Sequence, residues 1–298
     1  MTLEQLRIFV EVAERQHLTQ AAAALFLTPS AVSASIKALE DRYGTALFHR
    51  VGRRIETSDA GRIFLAEARR TLVSARAAEA TLADLGELRR GSLTLHASQT
   101  IASYWLPALL VRFLQAWPAI DLRLEVGNTG SVAQAVLQGG ADLGFVEGVI
   151  EAAALAEEAI GEDKMVVVVA PDHAWADGRT LTAADLEAAQ WILREAGSGT
   201  RSAFEASLAG LGVPAASLHI ALELPSNEAV RGAVMVGPFA TAMSELVVAP
   251  HVQAGLLAVA RCVLPARSFS MLRHPERHRS RAAAAFEDLV RTAVESGG

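Results

Sequence analysis

Apolar residues near the amino terminus keep a helical rhythm. Leu3, Leu6, Phe9, Val10 and Ala13 recur at three- and four-residue intervals, which predicts a first amphipathic helix. Thr19 is placed to cap a short alanine-rich helix, "QAAAALF". Thr28 is placed to cap a third, with Pro29 at its first position, where a missing N–H costs nothing. In that third helix Val32, Ile36 and Leu39 share one face. Ser30, Ala34 and Lys37 fall opposite, flanked by Ser33 and Ala38. Gly44 ends the helix, and "LFHRVGRRIETS" predicts a small hairpin turning at Gly52. From Asp59 to about Leu88 no proline intervenes, and Leu65, Ala68, Leu72, Ala75 and Leu82 approximate a 3-4 spacing with Glu79 as a polar interruption. A helix of about 30 residues spans about 45 Å, too long to bury its stripe on a small head alone. Pairing with a second chain is the economical solution.

After Gly91 the rhythm changes to short apolar runs alternating with helical segments. "LTLHA", "IDLRLEVG" and "ADLGFVEG" read as strands, and "SYWLPALLVRFLQAW", softly broken at Pro107, and "SVAQAVLQGG" read as helices. A second set follows with "MVVVVAP", "QWILRE", "RSAFEASLAGLG", "HIALEL", "SNEAVRGAV" and "MVGPFA". Such alternation predicts a parallel sheet of α/β type. Two sets, joined near Gly161–Lys164 with a return near Leu257–Leu264, predict two lobes facing a cleft.

Composition adds two points. Half of the 298 residues are apolar and a fifth charged, as in ordinary globular proteins, and no run reaches the roughly 18 apolar residues that span a bilayer. The acidic, amphipathic start lacks the features of a signal peptide, and the single cysteine, Cys262, fits a reducing compartment, so the expected location is the cytoplasm. The net charge of −6 hides an asymmetry: residues 1–90 carry +2 and the rest −8. From Arg42 to Arg54 there are four arginines and His49 with no acid. Halves of opposite sign predict two jobs in one chain.

Two short helices with a tight turn, the second presenting small hydroxyls and methyls, predict a helix-turn-helix whose outer face clears a major groove about 12 Å wide. The hairpin is then a wing that lays Arg50, Arg53 and Arg54 along phosphates. The whole run from "LEQLRIFVEVAE" through "LTPSAVSASIKALE" to "LFHRVGRRIETSDAG" resembles the DNA-binding domain of LysR-type transcriptional regulators. That resemblance implies DNA contacts from Thr28, Pro29, Ser30, Ser33, Ala34 and Lys37 on the recognition helix, and from Arg50, Arg53 and Arg54 on the backbone. Ala34 and Ser35 stand where many members carry a large polar pair, which shifts weight toward DNA shape. It also implies a dimerising linker, a homodimer or homotetramer on double-stranded DNA, and an effector domain of the type 2 periplasmic-binding-protein fold. The expected architecture is an α/β chain with an all-α head. It has a winged helix-turn-helix at 1–58, a linker helix at 59–90 and a two-lobed effector domain at 91–298. Lobe I takes about 91–161 and 265–298, and lobe II about 162–264.

Candidate chemistry lies at strand ends. "ASQT", with Ser98, Gln99 and Thr100, falls between a strand and a helix start, where hydroxyls and N–H groups can face an anion. "REAGSGTR" has the same layout, with a helix expected to begin at Thr200 and two arginines suited to a small oxyanion. Asn227 in "PSNEA" is expected as a further cap. Together with "GNTGSV" and "DLGFVEG", "REAGSGTR" resembles the LysR branch that regulates sulfur and inorganic-carbon assimilation. Gln99 and "GPFATA" depart from its commonest pattern. The resemblance implies an effector site from Ser98, Gln99, Thr100, Thr129, Glu147, Arg194, Glu195, Ser198, Gly199, Thr200, Arg201 and Asn227. Its ligand would be a small anion, such as a sulfur oxyanion or a phosphorylated metabolite. No HExxH, GxSxG, CxxC or GxGxxG pattern occurs, so neither catalytic residues nor a metal or cofactor are expected. The alternative is a cytosolic solute-binding sensor with a non-oxyanion ligand.

Overall fold

The computed structural model describes all residues except 52–53, 85–90, 149, 151 and 297–298. The chain forms two compact units, Met1–Leu82 and Ala83–Gly298. Among the described residues no single helix is long and apolar enough to cross a membrane.

In the first unit, helix α1 (Leu3–Arg15) starts with a capping box between Thr2 and Gln5. Helix α2 spans Leu18–Ala24 and α3 spans Pro29–Tyr43. Thr28 caps α3 as its sequence predicts, its hydroxyl accepting from the Ala31 N–H at 3.2 Å. Thr19 does not cap α2: the helix begins one residue earlier, and His17 Nδ1 accepts from the Gln20 N–H. Strands β1 (Phe48–Val51) and β2 (Arg54–Thr57) pair antiparallel as the hairpin, whose turn, with Gly52, lies outside the described residues. Glu40, at the end of α3, ties the hairpin down by accepting from the Leu47 and Phe48 N–H groups at 2.7 and 3.1 Å. Phe9, Val12, Ala21, Val32, Ile36, Leu39 and Ile55 make the core, joined by Ala68 from helix α4 (Asp59–Asp84). Gly61 in α4 is required by close approach, since a Cβ there would sit 2.2 Å from the Leu47 carbonyl oxygen. At 26 residues α4 is about 39 Å long. The remainder of the expected linker, 85–90, lies outside the described residues.

The second unit holds two five-stranded sheets. Strand β3 (Gly91–Ser98) leads through a π turn at Ile101–Trp105 into helix α5 (Leu106–Ala116). Pro107 sits in the first turn of α5, beside the point where the π turn gives way to α-helix. Strand β4 (Ile120–Gly127), helix α6 (Thr129–Gln138), strand β5 (Leu143–Glu147) and strand β6 (Ala156–Asp163) follow. One residue later β7 (Met165–Val169) begins the other sheet, with helix α7 (Ala183–Ala188), strand β8 (Gln190–Arg194), helix α8 (Gly199–Gly210), strand β9 (His219–Leu224), helix α9 (Asn227–Val234), strand β10 (Ala240–Ser244), helix α10 (Glu245–Gln253) and strand β11 (Ala258–Ala260). Strand β12 (Arg267–Arg273) returns to the first sheet, and helix α11 (Arg281–Ser296) covers it.

The sheets are mixed, where the alternation of elements predicts parallel ones. Orders are β4-β3-β5-β12-β6 and β11-β7-β10-β8-β9. The βαβ strands β3, β4 and β5 run parallel, as do β8, β9 and β10. Strands β12 and β6 are antiparallel because they are the outward and return passes of one chain between two lobes. Strands β5, β7 and β10 are buried along their whole length, as helix-covered strands must be. Phe113, Phe145, Phe269 and Phe286 fill one lobe, and Trp191, Phe204 and Leu208 the other.

Candidate functional site

Two surfaces carry the residues singled out above. On α3, Val32, Ile36 and Leu39 are buried, so the helix phase turns Thr28, Pro29, Ser30, Ala34 and Lys37 to the exposed side, with Ser33 half-buried at its margin. Thr28 and Ser30 hold each other, oxygen to oxygen at 3.0 Å. Arg50 and Arg54 belong to the two hairpin strands, and Arg53 lies outside the described residues.

The second surface is where the two lobes meet. Two helices begin there, one preceded by Ser98 and Thr100 from the first sheet and the other by Ser198 from the second. Thr100 and Thr200 are both buried, and both hydroxyls accept from one guanidinium, that of Arg267: Nη1 lies 3.1 Å from Thr200 Oγ1 and Nη2 3.5 Å from Thr100 Oγ1. Arg267 opens β12, the returning pass. It is paired with Asp163, the last residue of β6 on the outward pass, at 2.7 Å. Asp163 also accepts from Ser244 Oγ at 2.7 Å. Thus the connecting strands plant one charged pair between the lobes. Sequence reading missed both residues. The available signal was that Arg267 is the only charged residue between Arg261 and Arg273.

Around this pair the predicted residues are interlocked. Arg194 donates to Glu195 at 2.7 and 2.9 Å and to Asn227 Oδ1 at 2.6 Å. Asn227 Nδ2 reaches back to Thr100 Oγ1 at 3.2 Å. Asn227 is therefore not a cap. Ser226 holds that position by accepting from the Ala229 N–H, which leaves Asn227 as the first helical residue, facing inward and buried. Gln99 spans the lobes with both amide ends, donating to the Pro225 carbonyl and accepting from the Asn227 N–H, each at 2.9 Å. Asn128 donates to Glu195 at 3.1 Å, again across the lobes. Burial acts to raise the Glu195 carboxyl, but hydrogen bonds from Arg194 and Asn128 outweigh it and hold it below the ordinary value. Ser98 donates to Glu147, and Thr129 donates to the Glu147 carbonyl at 2.7 Å.

Helix α8 begins at Gly199, one residue before the expected start, with Ser198 as its N-cap residue. Approach is closest here. A Cβ on Gly199 would lie 1.9 Å from the Glu147 carbonyl oxygen, so only glycine lets α8 meet β5. Beside this contact a cavity of about 330 Å³ opens between α6 and the Gly197 loop, lined by Thr129, Gly130, Gln134, Ile150, Gly197 and Ser202 among others.

Arg201 does not join the cluster. It stands 100° round the helix from Thr200, and its guanidinium is held by Glu205 at 2.7 Å, by Glu223 on β9, and by the Arg194 carbonyl at 3.1 Å. The cation that meets both threonines is Arg267, not Arg201, the arginine next to Thr200 in sequence.

Comparison with known proteins agrees with this architecture. Residues 3–62 match the family described as bacterial regulatory helix-turn-helix protein, lysR family, and residues 86–295 match the LysR substrate binding domain. The HTH-type transcriptional regulator YeiE of Escherichia coli (strain K12) is 37% identical over 97% of this chain and 96% of its own. Among solved structures, full-length CbnR complexed with its target DNA matches with a TM-score of 0.67 at 24% identity, covering 98% of this chain and 100% of that one. The regulatory domain of Synechocystis PCC6803 CcmR in complex with 2-PG matches with a TM-score of 0.63 at 24% identity, covering 69% of this chain and 98% of that domain. A winged helix-turn-helix head, a long helix and a two-lobed α/β unit, matched along nearly their whole length, establish that this chain belongs to the LysR family of transcriptional regulators and carries an effector-binding domain of the LysR type.

Proposed function

We propose that the chain binds double-stranded DNA through the exposed face of α3 and the hairpin arginines, and that a small anion held between the lobes modulates this binding. One observation carries the second half: each lobe delivers a buried hydroxyl, Thr100 or Thr200, to one buried guanidinium, Arg267. An oxyanion entering there meets a planar fork, two hydroxyls and helix-starting N–H groups. Ser98, Gln99, Thr129, Glu147, Arg194, Glu195, Ser198, Gly199 and Asn227 frame the site, and Thr129 also lines the neighbouring cavity. The CbnR complex with DNA and the CcmR complex with 2-PG support the two halves of the reading. Residues 1–58 then act as the DNA-binding head, 59–90 as the linker and 91–298 as the effector domain, and the protein works in the cytoplasm where its DNA lies.

Titration calorimetry of the full chain with sulfite, sulfate, thiosulfate and phosphate tests the effector reading. Binding of at least one is expected. Arg201→Ala should leave its affinity within about twofold, because that side chain is already neutralised by Glu205 and Glu223. Heat from none of the four would sink the oxyanion, and loss on Arg201→Ala would put that residue back in the site.

The linker helix pairs two chains. Within the first unit its packing runs through Phe64, Leu65, Ala68 and Leu72, and at 26 residues the helix extends about three turns beyond Leu72. Sedimentation equilibrium at micromolar concentration should give a dimer or tetramer, and a monomer that binds DNA normally would contradict the pairing.

A further inference from the structure

Two guanidinium groups face three carboxylates between the lobes. Arg194 pairs with Glu195 and Arg267 with Asp163. Glu147, among the described residues, has only the looser share of Arg267. Its side chain is 2% exposed, and Oε1 lies 3.8 Å from the Arg267 guanidinium, beyond hydrogen-bond reach. Among the described residues one hydrogen bond, from Ser98 to Oε2, reaches this carboxylate, whose two oxygens together have room for about four when ionised. This acceptor stands beside the point where Thr100 and Thr200 meet Arg267.

We propose that Glu147 sets the specificity of the oxyanion site by accepting an O–H from the ligand. The site then selects an oxyanion that still carries a proton near neutral pH and rejects a fully ionised one. The inference rests on the reading of the cleft as an oxyanion site. A tetrahedral anion seated on Arg267 and the two threonines turns an oxygen toward Glu147. If that oxygen is bare, two negative oxygens face each other out of water, where repulsion is weakly screened. If it is protonated, the same approach is a charge-assisted O–H···O⁻ bond. Hydrogenphosphate always has such a proton at neutral pH, and a phosphomonoester, with its second ionisation near pH 6, regains one at small cost. Sulfate has the same shape and none. Discrimination between the two therefore depends on the unmatched acceptor rather than on size.

The test is titration calorimetry of the full chain with inorganic phosphate and with sulfate, at one pH and ionic strength, for the wild type and Glu147→Gln. Thermal melting of both proteins confirms that the variant is folded. The wild type should favour phosphate by about a hundredfold or more. The glutamine amide can donate, so Glu147→Gln should gain sulfate affinity and narrow the ratio at least about tenfold. Equal wild-type affinities would overturn the role of Glu147 while leaving the oxyanion reading intact. An unchanged ratio in a folded Glu147→Gln would do the same. Should neither anion bind the wild type, the oxyanion reading falls and takes this inference with it. If Glu147→Gln does not fold, the wild-type ratio alone decides.

Discussion

Arg267→Ala is expected to destabilise the second unit by about 3–5 kcal/mol, because it strands Asp163 as a buried acid without its guanidinium partner. For a unit of this size the melting temperature should fall by about 10 °C. Most of the cost is the abandoned charge rather than lost attraction. The double variant Arg267→Met/Asp163→Asn, which removes both charges and keeps an acceptor for Ser244, should therefore recover most of the stability. It should not recover anion binding. Differential scanning calorimetry separates the cases. A single variant as stable as the wild type would show that Arg267 is not paired as described, and a double variant no better than the single would show that lost packing, not charge, dominates.

The second large effect is on the other unit. Ala34→Phe should reduce DNA binding by at least about a hundredfold without unfolding the head. Ala34 is exposed, opposite the buried Val32, Ile36 and Leu39, so a larger side chain costs the core nothing. In a major groove about 12 Å wide the same ring has no room. Fluorescence anisotropy on a duplex, with circular dichroism as the control for folding, measures both. A folded variant that binds normally would mean that this face does not enter DNA.

How far these sites were legible depends on the distance between partners along the chain. The α3 face was readable because its residues are three and four apart and helical periodicity alone separates Val32 and Ile36 from Ala34 and Lys37. The Thr28 cap and Pro29 start were local too. The cleft was half readable. Glycine and hydroxyl runs marked where Thr100 and Thr200 lie, yet the cation joining them is 167 residues from one and 67 from the other. Arg201 was the natural candidate by sequence proximity, and helix phase, which depends on where α8 begins, turned it toward Glu205 and Glu223 instead. A one-residue boundary likewise decides Asn227, which faces inward because Ser226 takes the cap. The strand directions of β6 and β12 were hidden for another reason: alternation of elements reports crossover units, whereas these strands are passes between lobes.

An oxyanion at Arg267 should alter how the DNA-binding heads engage DNA. Binding across both lobes shifts populations only by its differential affinity for the two arrangements, so the effect must disappear when the site does. The direct measurement is a protection footprint of the full chain on duplexes selected from genomic DNA, with and without phosphate, for the wild type and Arg267→Met/Asp163→Asn. Protection over two half-sites is expected in both proteins, and a change of footprint or affinity with phosphate in the wild type alone. A footprint that phosphate changes equally in the double variant, or in neither protein, would contradict it.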